Sequence, residues 1–252
     1  SQNAIKLEDG GIFRNNQIVN LKLPANIQEI PNATFAHNTL TSFKIPSTLR
    51  KIGREAFSTN ELTNIDFSEA HNLHIDQAAF YDNKLTKLNL PTGVGLTFDQ
   101  NCYVNTYGIF SHNRTLTEVT LPQDMTAIPG CFLSSSRVKS ITIPASVATI
   151  GESAFNGLGL DEDQKLTNLT FAPGSQLTTI GCRAFTRQRL TTVDFPNTVT
   201  TIDSSAFDEN KLTKVKLPES NQTLGSSAFS GNLITEIIFP VHHTVALKYG
   251  VF

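Results

Sequence analysis

The sequence predicts a repeat solenoid of about ten short parallel strands joined by short helical or irregular returns, and three observations predict it. Phenylalanine recurs at positions 13, 35, 57, 80, 110, 132, 155, 185, 207 and 229, in steps of 22 or 23 residues apart from two steps of 30. Ala stands immediately before it at 56, 79, 154, 184, 206 and 228, and Asn three residues after it at 16, 38, 60, 83, 113, 210 and 232. A segment follows whose common form is L-T-x-[LIV]-x-[LIF]-P, as in Leu40–Pro46 and Leu212–Pro218. Its three apolar columns are filled in all ten copies; the last runs Leu23, Ile45, Phe67, Leu90, Leu121, Ile143, Phe171, Phe195, Leu217, Phe239.

The strand follows from the spacing. Its last two apolar residues are two apart and share one face, while the residue between them points the other way. Proline then ends the strand, because it has no N–H to give to a ladder. One such strand cannot bury its apolar side alone. Stacking one per coil, about 4.8 Å apart, builds a parallel sheet and a rod of about 45–50 Å. The I-G-x-x-A-F half is the return: its Phe plugs the core and its Ala lets neighbouring coils approach. The Asn column sits at the turn into the strand, where an amide can bond backbone groups of its own and adjacent coils.

Composition narrows the function. The chain has 252 residues, enough for a sizeable core. Its formal charge is −2, with 20 basic and 22 acidic residues, and no basic stripe calls for nucleic acid. Charged residues are only 17%, against 30 Thr and 21 Asn, so the surface is neutral-polar. No apolar run approaches the roughly 20 residues of a membrane helix. Three Cys (102, 131 and 182) are too few, and odd in number, for a disulfide framework. No disulfide is expected. Cys131 is read as a small core residue in the Ala column, Cys182 as exposed, and Cys102 as part of an insertion.

The L-x-x-[LIV]-x-[LIF] segment matches the strand of a leucine-rich repeat. The whole unit, clearest at Ile52–Phe57 and Ile150–Phe155, resembles the BspA-like leucine-rich repeats of bacterial surface proteins. The resemblance runs from about residue 13 to 240. It implies a right-handed leucine-rich-repeat superhelix, one domain over 1–252, and a place outside the cell or on its surface. It also implies a non-enzymatic recognition or adhesion module whose partner is a protein, such as a host matrix or cell-surface protein. The alternatives are a structural spacer displaying another domain of a longer protein, and a secreted effector acting in a host cell. Nothing in the sequence sets the oligomeric state.

The pattern breaks twice, near 92–107 and at 156–165, and such breaks in solenoids form surface loops that often bind. Asp161-Glu162-Asp163 lacks the alternate ligand spacing and fixed Gly of a calcium loop, so a solvated acidic loop is expected. His71 and His74 have no partner at zinc spacing, and His242-His243 lie in a segment that has lost the repeat. No G-x-S-x-G, phosphate loop or H-E-x-x-H occurs, so no catalytic residue, metal or cofactor is expected. The segment 241–252 is expected to start another coil without the Ala-Phe plug.

Two outward columns remain on the expected concave face: Asn20, Ser42, Asn64, Lys87, Glu118, Ser140, Asn168, Thr192, Lys214, Glu236, and Lys22, Lys44, Asp66, Asn89, Thr120, Thr142, Thr170, Asp194, Lys216, Ile238. Neither holds an aromatic ring, which argues against stacking on sugars or bases. A Thr column beside them lacks the paired neighbour an ice-binding face would need, and β-propensity explains it. The partner-binding candidates are therefore Lys22, Lys44 and Lys87 at one end and Lys214 and Lys216 at the other. The competing site is the pair of insertions around Tyr103 and Leu160.

Overall fold

The computed structural model describes residues 7–102, 107–242 and 244–252. The chain winds as a stack of parallel coils, each with two strand positions. The front position holds the segments expected from the sequence: Ser42–Lys44, Asn64–Asp66, Lys87–Asn89, Glu118–Thr120, Ser140–Ile143, Asn168–Phe171, Lys214–Lys216 and Glu236–Ile238. They pair in parallel, two by two, with side chains in register, as Phe43 on Ile65 and Lys214 on Glu236.

The return half is largely the expected irregular turn, with one addition. It carries a second column of two-residue parallel strands, from Glu29–Ile30 through Lys51–Ile52, His74–Ile75 and Thr97–Phe98. A second run continues from Ala127–Ile128 to Ala246–Leu247. The Ile of I-G-x-x-A-F is the inward residue of this strand, and Ile30, Ile52, Ile75, Ile150, Ile180 and Ile202 are buried. β-Branched residues suit that position because the pleat leaves room for both branches. The ladder breaks between Phe98 and Ile128. In neighbouring coils the residue after Ile donates its N–H to the previous coil, as Gly53 does to Ile30 at 2.7 Å. Pro129 stands there instead and has no N–H. Among the described residues the only helical element is a single turn of 3-10 helix at Glu162–Gln164.

The Phe column forms a ring stack inside the coils. Phe13, Phe35, Phe57, Phe80 and Phe110 follow one another at centroid spacings of 5.5–5.6 Å. A second stack runs Phe155, Phe185, Phe207, Phe229 and Phe252 at 5.1–5.8 Å. Between them the plug shifts by one residue from the Phe132 expected in the sequence. The pairing of Ile128 with Ile150 sets the frame of that coil, and the plug position then falls on Leu133. Leu133 N–H donates to Ala154 O at 2.8 Å, as Phe155 N–H does to Ala184 O. Phe132 therefore fills the Ala column and meets Phe110 edge-on at 87°. Cys131, read as the Ala-column residue, lies one place earlier, still buried.

The end of the chain is also corrected. Leu247-Lys248-Tyr249-Gly250-Val251-Phe252 is a further coil with its plug, Val taking the Ala column. Phe229 N–H donates to Val251 O at 2.7 Å, and Phe252 stacks on Phe229.

The Asn column does what turn chemistry predicts. Asn60 Nδ2 donates to the carbonyls of Phe57, Ser58 and, one coil back, Phe35, while its Oδ1 accepts the N–H of Leu40. Asn38, Asn83, Asn210 and Asn232 repeat the pattern. Gln188 replaces Asn in its coil and bonds Phe155 O and Leu166 N–H. A second hydroxyl column was not recognised in the sequence. Thr48, Ser146 and Thr198 each donate to two carbonyls of the preceding coil.

Candidate functional site

The five lysines lie on exposed surface at the two ends of the front face and form no single patch. Lys44 Nζ is 2.8 Å from Glu69, Lys87 Nζ 3.0 Å from Glu118, and Lys214 Nζ 3.0 Å from Glu236. The hydrogen bond to Glu69, with that carboxylate's charge, raises the Lys44 pKa. Lys22 and Lys216 make no ion pair among the described residues. Between the two ends the columns hold short polar groups that bond along the face: Thr142 to Thr170 at 2.8 Å and Asn168 to Ser140 at 3.0 Å. The neighbouring Thr column is exposed, and Thr63, Thr117, Thr167 and Thr235 each donate a hydroxyl to the coil before.

The insertions behave differently. Phe98 takes the Ile position of its coil, pairing with Ile75, so the extra residues fall between Phe98 and the Phe110 plug. Tyr103 lies outside the described residues. Cys102, at the start of that excursion, is disulfide-bonded to Cys131 with the Cα atoms 5.6 Å apart. This overturns the expectation of three free thiols. Proximity, not number, decides pairing, and Cys102 lies beside the next coil. Gly130 permits the approach, since a Cβ there would meet Cys102 Cβ at 2.7 Å. Cys182 remains free and half-buried, and burial raises its thiol pKa.

The second insertion is fixed at its base. Asn156 Oδ1 accepts the N–H of Leu158 at 2.9 Å, and Ser135 donates its hydroxyl to Leu158 O at 2.8 Å. Leu160 is buried beneath it, so the apolar group that this loop exposes is Leu158. The acidic run is held by its own surroundings. Gln164 bonds the backbone N–H and carboxylate of Asp161, and Lys165 and Arg189 pair with Glu162. The Lys165 hydrogen bond lowers the Glu162 pKa.

Both insertions border one trough of about 800 Å³ on the return side. Cys102, Cys131, Leu158 and Gly159 line it together with His112, Glu152, Arg183, Arg187 and Asp208. Arg114 also lines it, with Nη2 3.7 Å from where a Cβ on Gly159 would stand. Arg187 is held by a two-pronged contact to Glu209, at 3.1 and 3.2 Å. Burial, helped by Arg114, lowers the His112 pKa. Burial, then Glu209, raises the Asp208 pKa. Tyr81 packs on Tyr107 and His112 just outside, at 4.7 and 5.0 Å. None of these arginines stood out in the sequence. Arg183 and Arg187 occupy variable columns two residues either side of the plug, and Arg114 meets the second insertion only through space.

His74 is a surface histidine, bonded to Thr97 at 2.9 Å and Asp76 at 3.0 Å.

The family model described as BspA type leucine rich repeat region matches residues 9–109, 94–161 and 160–252, with six copies. No curated protein matches the chain. Among solved structures, the pneumococcal vaccine antigen PcpA is similar at 22% identity and TM-score 0.56, over 84% of this chain and 53% of that one. A leucine rich cell surface protein from Faecalibacterium prausnitzii is similar at 25% identity and TM-score 0.51, over 85% of this chain and 65% of that one. The chain thus spans less than two thirds of the length of either.

Proposed function

Because the chain belongs to the BspA type leucine rich repeat family, we propose that it is a non-enzymatic recognition or adhesion module that acts at the cell surface or outside the cell and binds a protein partner. The observation that carries the reading is the stacking itself. The buried amides of the Asn column are committed to backbone groups, which leaves long columns of exposed polar side chains on a fixed repeat. Such a surface suits contact with a macromolecule spread over many coils. The Cys102–Cys131 disulfide supports an oxidising compartment, which secreted and surface proteins occupy and the cytosol does not. The similar Faecalibacterium protein is a cell surface protein, which points the same way.

The proposal extends to the whole of 1–252 as one recognition unit, with Lys22, Lys44, Lys87, Lys214 and Lys216 as charged contacts. Exposed lysines mainly set association rate and salt sensitivity. Three of them already face a carboxylate within 3.0 Å, so each should contribute modestly. Purified protein applied to an array of host matrix and cell-surface proteins should show saturable binding to at least one. Lys214→Ser with Lys216→Ser should then weaken that binding about two- to fivefold, most at low salt. An array with no saturable partner would overturn the recognition reading.

A further inference from the structure

We propose that the trough between the two insertions binds an extended acidic segment of a partner protein. This rests on reading the chain as a protein-recognition module and names where and what it recognises.

His112, Ser135, Asn156, Arg187 and Asp208 line the trough from five successive coils. At about 4.8 Å per coil that is about 19 Å, or about six residues of extended chain at about 3.3 Å each. The charge points to carboxylates. Three guanidinium groups and two carboxylates, of Glu152 and Asp208, line it; Glu209 holds Arg187, while the exposed guanidinium groups of Arg114 and Arg183 make no hydrogen bond or close ion pair among the described residues, Arg183 feeling Asp208 only at longer range. Guanidinium is the side chain best suited to a carboxylate, which it can grip with two parallel N–H bonds. His112 is the only ring in the lining, so the trough has no platform for a sugar. Leu158, 43% exposed on the wall, provides an apolar contact beside the charges. The lining is firm: a disulfide joins Cys102 to Cys131, and hydrogen bonds from Asn156 and Ser135 hold Leu158. A preformed trough lowers the ordering cost of binding an extended segment.

The acidic groups of the lining supply the sharpest test. Glu152 is exposed and opposes a carboxylate ligand, so reversing it should improve binding. The probe is fluorescein-labelled octaglutamate, followed by anisotropy at 50 mM salt on the intact chain. Saturable binding is expected, weakened about tenfold or more by Arg114→Ser with Arg183→Ser and tightened about threefold by Glu152→Lys. Lys214→Ser with Lys216→Ser should change it less than twofold. A gain on Glu152→Lys cannot arise from misfolding, and unchanged melting of the arginine variant excludes it there. The inference fails if octaglutamate does not bind, or if binding follows the front-face lysines instead of the arginines. It also fails if an oligosialic acid of equal charge binds more tightly than octaglutamate with the same arginine dependence. These readouts need no natural partner. A silent array with octaglutamate bound would overturn the recognition reading alone, and the reverse result would overturn the trough alone.

Discussion

Asn210 is fully buried, donates to the carbonyls of Phe185, Phe207 and Asp208, and accepts from the N–H of Leu190. Removing its amide leaves backbone groups of two coils unpaired, each worth about 1 kcal/mol or more. Asn210→Ala should therefore cost about 2–4 kcal/mol in urea unfolding. Asn16→Ala, at an exposed end of the same column, should cost less than about 0.5 kcal/mol. A second set of residues sits at positive φ two places either side of the plug, including Ala33 at 53°, Glu55 at 57°, Ser153 at 55°, Arg187 at 61° and Glu209 at 53°. Left-handed backbone costs an L-residue about 1–2 kcal/mol, which glycine avoids at some loss of chain entropy. Ala33→Gly should be neutral or stabilising by up to about 1 kcal/mol, whereas Ala33→Val should lose more than about 1 kcal/mol because a β-branched side chain fits that region worst. Equal melting of the two variants would contradict this. The Asn column was legible as structure because its spacing from Phe never changes in the coils that keep it. The positive-φ columns were not, because Ala, Glu, Ser, Cys and Arg fill them without a shared chemistry.

The ring stack is the element that ties coil to coil in the core. Phe57→Ala should cost about 3–5 kcal/mol, since the ring is fully buried between Phe35 and Phe80. The misread coil offers a sharper experiment. Phe132 fills the Ala column and Leu133 the plug, and both are buried. Phe132→Ala alone should leave a cavity and cost about 3 kcal/mol or more. Adding Leu133→Phe restores the usual Ala-Phe order and gives the two stacks a bridging ring, so the double variant should recover at least half of that loss. A double variant no better than the single one would show that the coil cannot accept the common register. The strands of this element were legible on the front, where alternation marks them. The return strands were not, because two residues are too short to alternate and only the neighbouring coil makes them strands.

At the scale of the whole molecule, the disulfide spans the place where the return ladder is interrupted. Thr97–Phe98 and Ala127–Ile128 belong to separate ladders, and Cys102–Cys131 joins the coils beside that break, closing a loop with a sequence separation of 29. Loop-closure entropy for such a span is worth about 3–4 kcal/mol in the chain-entropy account. Cys102→Ser with Cys131→Ser should lose a comparable amount, and its denaturant unfolding should broaden or split as the two halves uncouple. Ser is a fair substitute, since Ser153, Ser205 and Ser227 hold the equivalent positive-φ place in other coils. The oxidised protein should present one alkylatable thiol, Cys182, and react fully only above the usual thiol range, because burial raises its pKa. Three reactive thiols with unchanged stability would remove the clamp from the account.

The sequence by itself determined the repeat, the core columns and the polar column that ties the coils. In a solenoid the period decides which residues become neighbours, so thirty filled apolar places amount to a contact list. It also marked both insertions as departures from the surface pattern. Only the tertiary structure decided where those insertions go. A loop's length does not say which way it turns, and the partner of Cys102 lies a full coil away in sequence. The register of the coil at 128–133 was likewise settled by pairing: Ile128 aligns with Ile150, and that alignment overrides the Phe that the eye follows. The trough exists for the same reason. Arg114, Leu158 and Arg183 line one trough because the four coils from Phe110 to Phe185 stack at regular strand spacing, a proximity that no local spacing in the sequence encodes.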